Sequence, residues 1–192
     1  MTLNDPTVRA PRLPAFDPAT ASAEQQAVLG EILSGPRGNL DGPFLAWIAS
    51  PAFAQHAQRL GAFCRYETGL SKRLSELAIL VTAARWHAQA EWQIHYPIAI
   101  DAGVSPAIAE ALRTGEPPRF DDEDDELIFA FATELYENRR VSDHTFEAAL
   151  SRFGRTTTVN LVGLLGYYTL VAMTLNVFEV TMPDRGSPPF SE

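Results

Sequence analysis

A chain of 192 residues is long enough for one domain with a substantial hydrophobic core. Hydrophobic residues make up 46% of it and charged residues 20%, which excludes disordered and fibrous proteins. The 24 acidic residues outnumber the 15 basic ones and give a formal net charge of −9, so neither nucleic acid nor an anionic membrane surface is expected as a partner.

The N-terminal segment and the cysteine content both favour a cytoplasmic location. Residues 1–20 contain four prolines and no apolar core, so they predict an extended arm that suits contact with a neighbouring subunit. A signal peptide or membrane anchor is not expected there. Cys64 is the single cysteine, so an internal disulfide, a CxxC redox pair and a cysteine-based zinc site are all excluded.

Helical periodicity and capping residues recur along the chain, and no segment shows the alternation of a strand. Ser22, Ser71 and the Ser105-Pro106 pair are typical helix starts, and Gly69 and Gly103 are typical helix ends. We therefore expect residues 21–192 to form a single all-α domain. The predicted helices cover residues 22–34, 51 to about 69, 71 to about 84, 89–102, 106 to about 113, 127–140, 142–154 and 159–180.

Residues 115–126, GEPPRFDDEDDE, predict a linker that enters the next helix through an acidic turn. Carboxylates at that position lie in the favourable field of a helix N-terminus. The spacing lacks the glycine and the terminal glutamate of a hand-type calcium loop, so we do not expect a calcium site.

The apolar segment 159–180 has the length of a membrane span, about 20 residues. Polar side chains interrupt it, so we expect a helix buried in the protein. Gly163 and Gly166 would allow another helix to approach closely, which suits a bundle centre or a subunit interface. The interrupting residues are Asn160, Thr169, Thr174, Asn176 and Glu179.

The C-terminal half, residues 127–182, repeats an earlier plan in which a short amphipathic helix, a break and a longer apolar helix follow one another. Aligning Arg155 with Arg73 places TTTVNLVGLLG on LSELAILVTAA, with few identities. This similarity suggests two duplicated helical halves, of which the first carries the acids and imidazoles.

The stretch RWHAQAEWQIHYPIA, residues 85–99, places His87, Glu91 and His95 at a uniform spacing of four. Two imidazoles and a carboxylate suit zinc or ferrous iron, but residues eight apart on a helix lie about 12 Å apart along its axis. Alternatively, Glu91 and His95 form an acid/base pair on one turn, where the carboxylate orients the imidazole. A third alternative is a buried histidine satisfied by a neighbouring acid.

Aromatic residues surround this cluster. Trp86, Trp92 and Tyr96 are explained either by core or interface packing or as walls of a cavity that excludes water. His87 is a candidate donor at the rim of such a cavity, and we expect the chain to bend at His87 and Ala88.

Three motifs in a fixed order carry a family resemblance. They are RLSELAIL with Glu76, then EWxxH with Glu91 and His95, then A-x-x-A-G-x-S at residues 99–105. Residues 42–126 thereby resemble the core of the carboxymuconolactone decarboxylase family, which also contains the alkylhydroperoxidase D group. The resemblance implies an alkylhydroperoxidase D-like helical bundle in which Glu76, His95 and the start of the second helix face a common cavity.

The resemblance favours the decarboxylase-like branch of that family. The thiol branch has a CxxC where this chain has Ala88 and Glu91, so Cys64 is expected to be structural. The implied activity is a lyase reaction on a small carboxylated or lactone-like molecule, of the kind found in aromatic compound catabolism, without metal or cofactor. His95 would donate the proton, Glu76 or Glu91 would orient it, and Arg85 would anchor the substrate carboxylate.

The resemblance also implies a homo-oligomer: a dimer, trimer or hexamer. The predicted site therefore consists of Glu76, Glu91 and His95 as catalytic residues and Arg85, His87, Trp92 and Tyr96 as substrate-binding residues. Three alternatives remain: a peroxidase-type activity through Cys64, a metal-dependent enzyme, and a non-catalytic binding oligomer.

Overall fold

A computed structural model describes residues 10–36, 38–182, 184, 186 and 188–191. These residues form eight α-helices and no strand, so the all-α prediction is confirmed. A single 3-10 turn, Pro18–Thr20, precedes the first helix. The helices are α1 Ala23–Ser34, α2 Phe44–Trp47, α3 Pro51–Tyr66, α4 Lys72–Arg85, α5 Gln89–Asp101, α6 Pro106–Thr114, α7 Glu123–Asn138 and α8 Asp143–Val177.

The predicted helix starts at Ser22 and Ser71 are observed with side-chain caps, whereas Ser105 precedes α6 without a side-chain cap bond. The Ser22 hydroxyl accepts from the Gln25 backbone N–H while the Gln25 side chain accepts from the Ser22 N–H, a complete capping box. Ser71 accepts from the Leu74 N–H in the same way. Gly115 closes α6 in the left-handed conformation.

Helix α2 was not predicted. Its four residues lie between two proline-containing turns, and their helical turn depends on burial rather than on a sequence signal. Phe44 and Trp47 are buried, and the indole N–H of Trp47 donates to the Thr174 hydroxyl at 2.9 Å. This bond ties α2 to the C-terminal part of α8.

Helix α8 contains the two C-terminal helices of the prediction, which meet at a kink. Gly154, with φ 78° and ψ 165°, interrupts it where the sequence predicted a helix end. The chain resumes its helix at once because the Thr158 hydroxyl bonds to the carbonyls of Gly154 and Ala149 across the kink. Among the described helices, α8 alone is long and apolar enough to cross a membrane, and 56% of its most apolar stretch is buried against the rest of the protein.

Helix α4 is the centre of the bundle. Every residue from Leu74 to Ala83 is buried, so this helix is enclosed on all its faces over these residues. It packs against α5, α6, α7 and α8. A carboxylate on such a helix is removed from water on all sides and needs a partner from a neighbouring helix.

The described part of the N-terminal arm lies on the end of α8 of the same chain. The Arg12 backbone N–H donates to the Phe178 carbonyl, and its guanidinium bonds to the Val177 carbonyl and pairs with Glu179 at 3.2 Å. Residues 1–9 of the predicted arm lie outside the described residues. Contact of the arm with a neighbouring subunit and the duplication of helical halves stay predictions.

Candidate active site

The site starts from the turn between α4 and α5. His87 adopts the left-handed conformation with φ 45°, and the Ala88 N–H donates to the Ala83 carbonyl at 2.9 Å, which ends α4. Helix α5 then begins at Gln89 and packs on α4. The bend predicted at His87 and Ala88 therefore brings EWxxH beside Glu76.

Glu76 and His95 form a buried pair. The Nδ1 atom of His95 lies 2.7 Å from Oε2 of Glu76, and the two residues are 5% and 3% exposed. The edge of the Tyr168 ring approaches the imidazole, with centroids 5.1 Å apart. Because Glu76 occupies Nδ1, it fixes the ring orientation and leaves Nε2 as the nitrogen for a ligand.

The sequence left Glu76 and Glu91 as alternative partners of His95. In the structure, Glu76 contacts the imidazole. Glu91 is 1% exposed, and neither of its carboxylate oxygens has a hydrogen-bond partner among the described residues. Burial raises the pKa of Glu91 well above its usual range. Glu91 therefore does not orient the His95 imidazole, as its i,i+4 spacing had suggested.

Glu91 and His95 line a small, partly open cavity of about 20 Å³, room for a water-sized molecule. Tyr167 and Tyr168 of α8 form one wall, and residues 41–43 form another. Arg65, in the last turn of α3, also lines it. Arg65 was not predicted as a site residue, because a basic residue near a helix C-terminus is already explained by the helix dipole.

The predicted substrate-binding residues do not share this cavity. Arg85 and His87 line a separate surface cleft of about 580 Å³ between α4, α6, α7 and the C-terminal segment. Arg85 therefore does not face the cavity of His95, contrary to its predicted place as a carboxylate anchor there. His87 stacks on Phe190, with ring centroids 5.1 Å apart.

Trp92 and Tyr96 serve packing in this structure. Trp92 is 4% exposed and meets Phe190 edge-on at 5.3 Å, while Tyr96 stacks on Trp92 at 6.0 Å and is 39% exposed. Neither side chain lines the cavity of His95. Phe190 itself is held by two hydrogen bonds with the Gln89 side chain.

The side chains of His87, Glu91 and His95 do not converge on one point, although the residues are equally spaced in the sequence. His87 faces the outer cleft, whereas Glu91 and His95 face the inner cavity. Within the described ranges no three His, Cys, Asp or Glu side chains come together as metal ligands. Cys64 lies in the hydrophobic core, fully buried, and does not line the cavity.

A polar cluster that the sequence did not reveal lies beneath the outer cleft. The Tyr136 hydroxyl lies 2.8 Å from the Thr82 hydroxyl and 3.2 Å from that of Thr169, which joins α4, α7 and α8. Burial raises the pKa of Tyr136, and a charge on Glu91 would raise it further.

The site elements lie on the segment that a known family shares. Residues 51–132 match the model described as the carboxymuconolactone decarboxylase family. The chain carries a domain of this family. Among curated proteins no match was found. The matched segment contains Arg65, Glu76, Glu91 and His95, whereas Tyr168 on the cavity wall lies beyond it. The matched segment thus supplies the Glu76–His95 pair, and α8 supplies a wall of the cavity beside it.

Proposed function

We propose that this protein is an acid/base decarboxylase that acts on a small carboxylated or lactone-like substrate, as the name of its family suggests. The observation that carries the proposal is the buried Glu76–His95 pair at a small cavity whose lining includes a cation, Arg65. A buried, paired imidazole suits proton transfer, and an arginine suits a carboxylate.

The positions of Arg65, Glu76 and His95 suggest the part that each would play in the reaction. Arg65 would hold the substrate carboxylate. When the bond from carbon to the carboxyl group breaks, CO₂ leaves and the electron pair remains on the substrate as an enolate. His95, held at Nδ1 by Glu76, would donate a proton from Nε2 to carbon and recover one from solvent. The cavity of about 20 Å³ is smaller than such a substrate, so it must widen on binding.

The deciding experiment is turnover of carboxymuconolactone, followed as CO₂ release. We expect His95→Gln to lower kcat by about 10²- to 10⁴-fold, the range for loss of a general acid. His56→Gln is the matched control, since His56 is exposed on α3 and remote from the cavity lining. Equal rates for the wild type and His95→Gln would contradict the proposal.

Two alternatives are separated by the same assay. A peroxidase-type activity would depend on Cys64, so Cys64→Ala should abolish it, whereas the decarboxylase should tolerate this change. A non-catalytic binding protein would bind carboxymuconolactone without releasing CO₂, and His95→Gln would leave the bound amount unchanged.

We also propose that the protein assembles as a homo-oligomer through α8. One face of this helix exposes large apolar side chains beside Gly163 and Gly166, around which an added Cβ meets nothing within 4 Å. A contiguous exposed apolar stripe favours a second copy of the same chain as its cover. Its large residues are Val159, Val162, Met173 and Val177. A cytoplasmic location stays a prediction.

A further inference from the structure

Glu91 is a buried acid that the proton transfer by His95 does not use. Both of its oxygens are removed from solvent, and none of the described residues gives either one a hydrogen bond. An ionised carboxylate in such a place is strongly disfavoured, because neither water nor a donor compensates its charge. The side chain is therefore held in its neutral form, with one O–H group.

The Glu91 side chain lies at the cavity that His95 also lines. Glu91 and His95 lie one turn apart on α5, about 6 Å along the helix, and line the same cavity. A carboxylic acid has a donor that needs an acceptor, and within the described part of the chain Glu91 has none. The acceptor that suits it is an oxygen of a molecule bound in the cavity.

We propose that Glu91 acts as a neutral acid that donates a hydrogen bond to the substrate oxygen on which negative charge collects during decarboxylation. This inference rests on the proposed function and narrows its substrate. As CO₂ leaves, the electron pair of the broken bond moves through the carbon skeleton onto a carbonyl oxygen, which becomes an enolate oxygen. The Glu91 hydroxyl stabilises that oxygen, and His95 protonates carbon to restore the carbonyl.

The substrate class follows from this chemistry. The carboxylate to be lost must be conjugated with, or placed β to, a ketone or lactone carbonyl that can accept the electron pair. A simple alkyl carboxylate offers no such acceptor, and Glu91 would have nothing to stabilise. Arg65 and Glu91 then recognise two different ends of one molecule: the departing carboxylate and the carbonyl oxygen.

Other titratable groups surround Glu91 and must be separated from it in any pH experiment. They lie on α3, α4, α5, α7 and α8 and on the segment before α2. These groups are His95, Glu76, Arg65, Tyr136, Tyr167, Tyr168 and Asp41.

Turnover of carboxymuconolactone tests the donor role through two variants. Glu91→Met removes the donor at similar length, and we expect kcat to fall by about 10²- to 10³-fold, as for loss of one oxyanion donor. Glu91→Gln keeps an N–H donor at the same position, so it should lose less activity than Glu91→Met. Full activity in Glu91→Met, or an equal loss in both variants, would overturn the proposal.

Two measurements without turnover separate this proposal from the proposed function. At neutral pH, the infrared band of a protonated carboxyl should be present in the wild type and in the control Glu110→Gln, and absent in Glu91→Gln. The absorbance of 4-nitrophenolate, an enolate mimic, should report binding to the wild type and at least tenfold weaker binding to Glu91→Met. Absence of the band, or equal or no binding of 4-nitrophenolate, overturns the role of Glu91. If both results are as expected but no CO₂ is released, the proposed reaction is refuted and the donor role of Glu91 is not.

Discussion

Glu76 and His95 come from different helices, nineteen residues apart, and meet at 2.7 Å inside the bundle. The contact exists because α4 ends at a left-handed His87 and α5 packs directly on α4. A buried polar pair of this kind fixes the orientation of the imidazole and also couples the site to the stability of the core.

Breaking the Glu76–His95 pair is expected to reduce stability as well as activity. Glu76→Leu leaves the His95 ring buried without its partner, and the free energy of unfolding should fall by about 1–3 kcal/mol. Urea denaturation measures this change. Glu67→Leu, at an exposed position after α3, is the control, and its free energy of unfolding should stay close to that of the wild type.

The buried acid Glu91 makes the folded state less stable as pH rises. Its pKa is raised in the folded protein above the ordinary 4.5 because burial penalises the charged form. Between these two pKa values the unfolded chain has released the proton and the folded one retains it, so the contribution to stability is complete below about 4.5 and is lost with increasing pH. We expect Glu91→Gln to flatten this dependence in urea denaturation at several pH values above 5.

Glu134 is expected to change stability with pH in the opposite direction from Glu91. Hydrogen bonds from the Ser142 backbone N–H and the Thr145 hydroxyl lower the pKa of this carboxyl. Its contribution is present above the unfolded pKa and is lost as pH falls through the folded one. Glu134→Gln should therefore lower stability at pH 7 more than at pH 3, which the same denaturation series would show.

Arg65, rather than Arg85, is expected to determine the affinity for a carboxylated substrate. Arg65 lines the cavity of Glu91 and His95, whereas Arg85 faces the outer cleft. Arg65→Gln should raise KM for carboxymuconolactone at least tenfold, and Arg85→Gln should leave it near the wild-type value. The reverse result would move the substrate to the outer cleft.

The kink of α8 requires glycine. Gly154 has φ 78° and ψ 165°, a backbone region that residues with a Cβ rarely adopt, so Gly154→Ala should cost about 1–3 kcal/mol. Gly30 lies in the regular helix α1 with open space around it, and Gly30→Ala should stabilise by about 0.5–1 kcal/mol. Thermal unfolding of both variants checks the contrast. A stabilised Gly154→Ala would refute a required kink.

Assembly through α8 predicts a mass above 21.1 kDa in light scattering. Val162→Glu puts a charge in the middle of the exposed stripe and should shift the protein to the monomer. Leu33 on α1 is exposed to a similar degree, 49% against 48% for Val162, and Leu33→Glu should leave the mass unchanged. A wild-type monomer, or a mass that responds to Leu33 and not to Val162, would disprove this interface.

Much of this protein was determined by local sequence. The serine caps at residues 22 and 71, the bend before α5 and the placement of Glu91 and His95 one turn apart on one helix depend on neighbours a few residues away, so they were predicted correctly. The family followed from the order of short motifs, for the same reason.

Packing between distant segments decided the rest. Whether Glu76 or Glu91 holds His95, whether Arg65 or Arg85 reaches the cavity, and how Tyr168 closes it depend on the way α3, α4, α5 and α8 pack together. Helix periodicity indicates which side chains share a face, but not which neighbouring helix that face meets. That choice is made by burial of the whole apolar surface at once, and it leaves one acid paired and the other enclosed without a partner among the described residues.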